Sequence, residues 1–262
     1  MHNQIDYKEN KLFYYKYGAG PKTILLFHGY GQDHTAFESW TELLKSDYTI
    51  YSFDIFLHGQ STWAASDALE KEDWKNVIKL FLQKEKLTEF ELAGFSMGGK
   101  FAFATLESFP EKTKRMILIA PDGIKVNFWY RLATYPVAMR YLFESFVSKP
   151  KLFFSLTTFL QSIGIIDKYM LRFVTLQMDT EEKRKRVYFT WIYFRHLKFE
   201  MKSIADLLIE RNIPLKIIVG RYDKVIPVKD MQLLLKYVPN GQLQILETGH
   251  GQLIGVAKDY LK

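Results

Sequence analysis

Short apolar runs separated by amphipathic stretches recur along the chain, and their alternation predicts its elements. Residues 11–17 read as a strand that ends at the turn Gly18-Ala19-Gly20-Pro21. Residues 23–27 form a continuous apolar run, the pattern of a strand covered on both faces, ending in His28-Gly29-Tyr30-Gly31. A helical pattern follows over 34–45, then a strand over 48–53 that ends at Asp54. Asp67 is placed to cap a long amphipathic helix running to about residue 86. Strands are expected again at 90–93, 115–120, 214–219 and 242–246, with helices at 97–109, 228–237 and the end of the chain. The connections are too long for hairpins. The expected fold class is therefore α/β, a mostly parallel central sheet with helices on both faces.

Residues 124–205 break that alternation. They are helical in pattern and hold 18 of the chain's 42 aromatic residues, dense at Phe128-Trp129-Tyr130, Phe153-Phe154 and 187–194. Packing is the simplest role for these rings, although such a piece cannot bury all its apolar surface within itself. Charge marks nearly the same stretch. Residues 123–205 carry 14 Lys/Arg against 6 Asp/Glu, which leaves 22 basic against 23 acidic residues elsewhere. All of the net +7 therefore arises there. The expected organisation is a core of residues 1–123 and 206–262, with a helical cap inserted at 124–205. The run Glu181-Glu182-Lys183-Arg184-Lys185-Arg186 reads most simply as a solvated helix face. A functional alternative is attraction to an anionic substrate or weak association with an anionic membrane surface, mediated by Lys183 to Arg186. No nucleic-acid-binding module accompanies the charge, so no nucleic-acid partner is expected.

Composition narrows the chemistry. With 48% hydrophobic residues the chain has ample material for a core. The lack of cysteine excludes disulfides, thiolate metal sites and a Cys nucleophile. The six histidines show no paired ligand spacing, so no metal is expected, and no phosphate-loop or dinucleotide fingerprint calls for a cofactor. The first residues lack the basic and apolar regions of a secretory leader. No stretch reaches the roughly 20 uncharged apolar residues of a membrane span. A soluble cytoplasmic protein is the expectation.

One stretch carries a reactive group in a structural context that exposes it. Gly94-Phe95-Ser96-Met97-Gly98-Gly99 lies between a predicted strand and a predicted helix. A G-x-S-x-G at such a junction holds the serine at the tip of a tight turn, and its flanking glycines let strand and helix approach closely. A serine hydroxyl is a weak nucleophile that needs an adjacent base, itself oriented by an acid. Asp223 in Gly220-Arg221-Tyr222-Asp223 and His250 in Thr248-Gly249-His250 follow two later predicted strands. Asp122, in Ala120-Pro121-Asp122-Gly123, also stands at a strand end and is the rival acid.

The order Ser96, Asp223, His250, each after a strand, resembles the α/β-hydrolase superfamily in its small capped, esterase- and lipase-like branch. The likeness covers the chain from about residue 13 to 261, the cap excepted. It implies Ser96 as nucleophile, His250 as base and Asp223 as orienting acid. It also implies an oxyanion hole of the backbone N–H groups of Tyr30 and Met97. Tyr30, Phe95 and Met97 are then expected to shape an apolar acyl pocket for a small-molecule ester or thioester. His28 is assigned to structural hydrogen bonding. Asp54-Ile55-Phe56-Leu57-His58-Gly59-Gln60-Ser61 resembles the family's D-x-x-G-H-G-x-S loop, with Leu57 where Gly or Pro is usual. Members of the superfamily also cleave carbon–carbon bonds, act as lyases or serve as ligand receptors, and the triad alone does not separate these.

Overall fold

The computed structural model describes residues 2–165 and 168–261. Its first compact unit comprises Met1–Lys125 and Leu197–Lys262, and its second Val126–His196.

An eight-stranded sheet organises the first unit. Its strands are β1 (His2–Tyr7), β2 (Asn10–Tyr17), β3 (Lys22–Phe27), β4 (Tyr48–Phe53), β5 (Phe90–Phe95), β6 (Thr113–Ile119), β7 (Leu215–Gly220) and β8 (Gln242–Leu246). They lie in the order β1-β2-β4-β3-β5-β6-β7-β8. β3 through β8 run parallel, while β1 and β2 are antiparallel at one edge. β1 was not expected from the sequence. Its residues, His-Asn-Gln-Ile-Asp-Tyr, carry little apolar signal because an edge strand has less to bury.

Alternation along each strand sends successive side chains to opposite faces. From β3, Ile24 and Leu26 join Ala93, Ile117 and Ile119 in a cluster with Phe37, Trp40, Leu253 and Ile254. Those partners come from a 3-10 turn (His34–Phe37), from α1 (Glu38–Leu44) and from a short helix, Leu253–Ala257, near the C-terminus. On the other face, the Phe27 ring packs 5.7 Å from Trp74 of α2 (Lys71–Glu85), and Trp74 packs 4.8 Å from Phe101 of α3 (Gly98–Ser108). The buried Trp74 indole N–H donates to Thr105 Oγ1 at 3.0 Å, so the ring is enclosed without leaving a polar atom unmet. Both faces of the sheet are covered, as the continuous apolar runs require. Helix α2 begins at Lys71, with Glu70 and Asp73 forming a reciprocal capping box. The cap is thus Glu70, three residues beyond the Asp67 expected from the sequence.

The second unit holds α4 (Phe128–Thr134), α5 (Val137–Ser148), α6 (Pro150–Ser162), α7 (Lys168–Met178) and α8 (Glu181–Tyr193). Its aromatic clusters pack within it. Phe143 lies 5.3 Å from Tyr188 and 5.5 Å from Trp191, and Tyr130 lies 5.2 Å from Trp191. The basic run on α8 is largely satisfied locally. Lys183, Lys185 and Arg186 pair with Asp179, Glu181 and Glu182, each four residues earlier. Arg184 is buried and donates to the carbonyls of Val147, Met178 and Asp179.

The unit ends at His196, before the residue 205 expected from charge. Helix α9 (Met201–Glu210) buries Met201, Ile204, Ala205 and Leu208 and packs on α3. Charge composition follows the exposed side of α9, whereas its buried side decides the unit it joins. The remaining helices are α10 (Gln232–Leu235) and α11 (Leu253–Ala257).

Candidate active site

The strand-to-helix junction after β5 is a strained turn. Ser96 has φ +50°, a left-handed conformation that costs a non-glycine residue on the order of 1–3 kcal/mol. Surrounding contacts hold it there. The Ser96 N–H donates to Ile119 O at 2.9 Å, and Ser96 O accepts from Gly99 N at 2.9 Å and Asp122 N at 2.8 Å. A side chain at Gly98 would lie 2.0 Å from Phe27 O, and one at Gly94 would lie 2.6 Å from Gly98 O. Neither position admits a Cβ, so both must be glycine for β5 and α3 to meet at this angle.

Two loops at the same end of the sheet complete the arrangement. His250 Nε2 lies 3.0 Å from Ser96 Oγ, and His250 Nδ1 lies 2.6 Å from Asp223 Oδ2. Asp223 is anchored by β7's exit loop, where its Oδ1 accepts from the N–H groups of Val225 and Ile226, both at 2.8 Å. With Nδ1–H donating to the carboxylate, Nε2 is left as an acceptor for the serine hydroxyl. The Phe95 ring lies 4.9 Å from the imidazole and supports it. Such a chain can draw a proton from Ser96 Oγ and return it.

The rival acid is occupied elsewhere. Asp122 Oδ2 pairs with Lys100 Nζ at 3.1 Å, and its Oδ1 accepts from Gly123 N at 2.7 Å. Asp223, not Asp122, faces the imidazole.

The loops expected to be architectural are built from buried polar groups. His28 Nε2 accepts from Ile55 N at 3.0 Å and its Nδ1–H donates to Gly29 O at 2.7 Å. Complete burial, with the His58 ring beside it, pushes the His28 pKa down to about 3. Asp54, also fully enclosed, accepts from His34 N and Nδ1, both at 2.8 Å, and from Gln60 N at 2.9 Å. Leu57 takes φ +68° in this loop, so the left-handed turn usual for glycine is made by leucine.

A family model described as alpha/beta hydrolase fold matches residues 22–255. The chain belongs to the alpha/beta hydrolase family. This hydrolase-fold chain is 27% identical over 252 residues to an uncharacterized protein of Mycobacterium tuberculosis, covering 89% of this chain and 71% of that one. It is 22% identical over 261 residues to the pimeloyl-(acyl-carrier protein) methyl ester esterase of Nitrosomonas europaea, covering 93% and 94% of the two chains. Among solved structures, a thermophilic esterase from Thermogutta terrifontis shares the fold with TM-score 0.70 at 17% identity, covering 99% of this chain and 95% of that one.

Within this alpha/beta hydrolase, the remaining expected site residues differ in placement. Met97 immediately precedes α3, so its amide belongs to the helix-start donors that have no carbonyl four residues back. Tyr30 lies in a turn closed by Gln32 N donating to Gly29 O at 3.3 Å, and its ring packs 5.6 Å from His58. The Phe95 side chain departs from expectation. It is 3% exposed and belongs to the core cluster with Phe37 and Leu253, so it supports His250 from below and does not line an open pocket. A strand-end residue points alternately to the two faces, and Phe95 falls on the core-facing phase.

Sequence reasoning missed three positioning groups. Gln32 Oε1 accepts from Gly29 N at 2.9 Å and braces the Tyr30 turn. Lys100 holds Asp122 away, and His34 holds Asp54. For Gln32, the i to i+3 spacing from Gly29 was the available signal; the other two pairings are visible only in three dimensions.

Proposed function

We propose that this chain hydrolyses a carboxylic ester or thioester with an apolar acyl group, through an acyl-enzyme on Ser96. The observation that carries the reading is the continuous hydrogen-bonded path from Asp223 through His250 to Ser96 Oγ, at 2.6 and 3.0 Å. Ser96 Oγ attacks the acyl carbonyl carbon while its proton passes to His250 Nε2, and the Asp223 carboxylate holds the resulting imidazolium. The carbonyl electron pair moves to oxygen, where the amides of Met97 and Tyr30 donate to it. Collapse expels the alcohol or thiol, which takes the proton from Nε2. Water then repeats the sequence on the acyl-enzyme, giving up a proton to His250, and the acid leaves as Ser96 regains its hydrogen.

Relatives named as an esterase and as monoacylglycerol lipases support the ester class. The test is labelling by a fluorophosphonate probe, with Ser96→Ala for comparison, followed by p-nitrophenyl esters of increasing chain length. Labelling that disappears in the variant, with turnover rising as the acyl chain lengthens, is the expected result. Folded wild-type protein that neither labels nor turns over any ester would overturn the proposal.

A further inference from the structure

Helix α6 is apolar on two sides, and only one of them is covered. Phe153 faces inward, 5.3 Å from Phe146, and Thr157 is buried one turn later. The other side presents Leu152, Leu156, Phe159 and the following Ile163, which are 48%, 39%, 58% and 53% exposed. Their spacing of four, three and four residues places them in a single stripe. Ser155, Thr158 and Ser162 flank the stripe without charge. Large side chains left in water along three turns of helix mark a surface that something covers.

The surrounding charge indicates what covers it. Residues 149–178 contain Lys149, Lys151, Lys168 and Arg172 against the single acidic residue Asp167. Lys149 and Lys151 are exposed at the start of α6, and Lys168 and Arg172 are exposed one turn apart on α7. We infer that the α6 stripe is an interfacial helix that docks on an anionic bilayer, with Leu152, Leu156, Phe159 and Ile163 in the acyl boundary and these cations among the headgroups. An exposed apolar stripe on a helix whose own start and next helix carry exposed cations is an arrangement that binds at a lipid surface. A second copy of the chain would bring the same positive rims together, which disfavours self-association. Among the described residues no helix is long and apolar enough to cross a membrane. The basic run on α8 is a weaker anchor than its composition suggests, because three of its four cations pair with carboxylates four residues earlier in the chain and the fourth is buried.

The test is flotation with vesicles of phosphatidylcholine, with and without about one-third phosphatidylglycerol. It can be run on Ser96→Ala protein, so its outcome is independent of the proposed hydrolysis. Wild-type chain is expected to float with the anionic vesicles only, and to be released by high salt. Leu156→Ser/Phe159→Ser should lower partitioning at least about tenfold, and Lys149→Gln/Lys151→Gln about thirtyfold. Lys183→Gln/Lys185→Gln should bind as wild type. Both stripe substitutions are on the surface, and near-UV circular dichroism verifies that the variants are folded. Four results would each overturn the inference: no flotation of wild type, equal binding to neutral vesicles, stripe variants that bind undiminished, or an α8 variant that loses as much. A dimer dissolved by Phe159→Ser would reassign the stripe to a contact between copies. A raised KM for soluble esters in the stripe variants would reassign it to substrate entry.

Discussion

Acidification should destabilise this fold through a single histidine. His28 is completely enclosed, and both ring nitrogens are engaged by the neutral form: Nδ1–H donates to Gly29 O at 2.7 Å, and Nε2 accepts from Ile55 N at 3.0 Å. Protonation would set a second N–H against the Ile55 amide, in a fully buried site and beside the His58 ring 5.3 Å away. The folded-state pKa is accordingly lowered from 6.5 to about 3. Between those values the unfolded chain binds a proton that the folded chain does not, so stability rises with pH across this window and falls on acidification. Each pH unit is worth about 1.4 kcal/mol, giving a loss of about 3 kcal/mol by about pH 4.5 and roughly 5 kcal/mol across the whole window. Against a typical total of about 5–15 kcal/mol that is a large share. Urea unfolding of wild type and His28→Gln at intervals from about pH 7 to 4.5 isolates the effect, because other titrating groups cancel in the difference. The wild-type advantage should shrink by about 3 kcal/mol over that range. A pH-independent difference would refute the argument. So would a His28 Cε1–H NMR resonance that titrates near neutral pH in folded protein, a measurement that does not need the variant to fold.

Four further outcomes follow from the geometry. Asp223→Asn should reduce kcat on a p-nitrophenyl ester by about 10⁴, through loss of the acceptor that orients His250, whereas Asp122→Asn should leave it at the same order of magnitude; equal losses would contradict the Lys100–Asp122 pairing. Ser96→Gly and Ser96→Ala should both be inactive, but the glycine variant should be more stable by about 1 kcal/mol because it relieves the left-handed backbone; calorimetry compares the pair. Lys86, exposed and left-handed at the end of α2 with φ +56°, should gain about 1 kcal/mol on replacement by glycine. Its thermal midpoint should rise by about 2–4 °C.

What the sequence disclosed of this fold follows the range of the forces involved. Buried parallel strands write themselves as apolar runs, so the expected 23–27 lies within β3 and the expected 115–120 shares residues 115–119 with β6, which begins two residues earlier. Edge strand β1 does not, because its stability comes from pairing with β2 and little of it comes from side-chain burial. Ser96, Asp223 and His250 were legible for a related reason. Each lies just past the end of a strand, and a parallel sheet brings its strand ends to one side whatever lies between them in sequence. Local spacing cannot supply the same assurance for side-chain partners. Asp122 and Asp223 both stand at strand ends, and Lys100, a buried cation from the neighbouring helix start, is what commits the first to a structural pair. Leu57 extends the point. A glycine-like turn occupied by leucine is unfavourable on local grounds, yet the loop keeps it because Asp54 binds three donors from His34 and Gln60, and Ser61 Oγ closes on Asp54 O at 2.6 Å. Several hydrogen bonds of about 1 kcal/mol each outweigh one strained residue. The balance is struck between residues that no local window contains together.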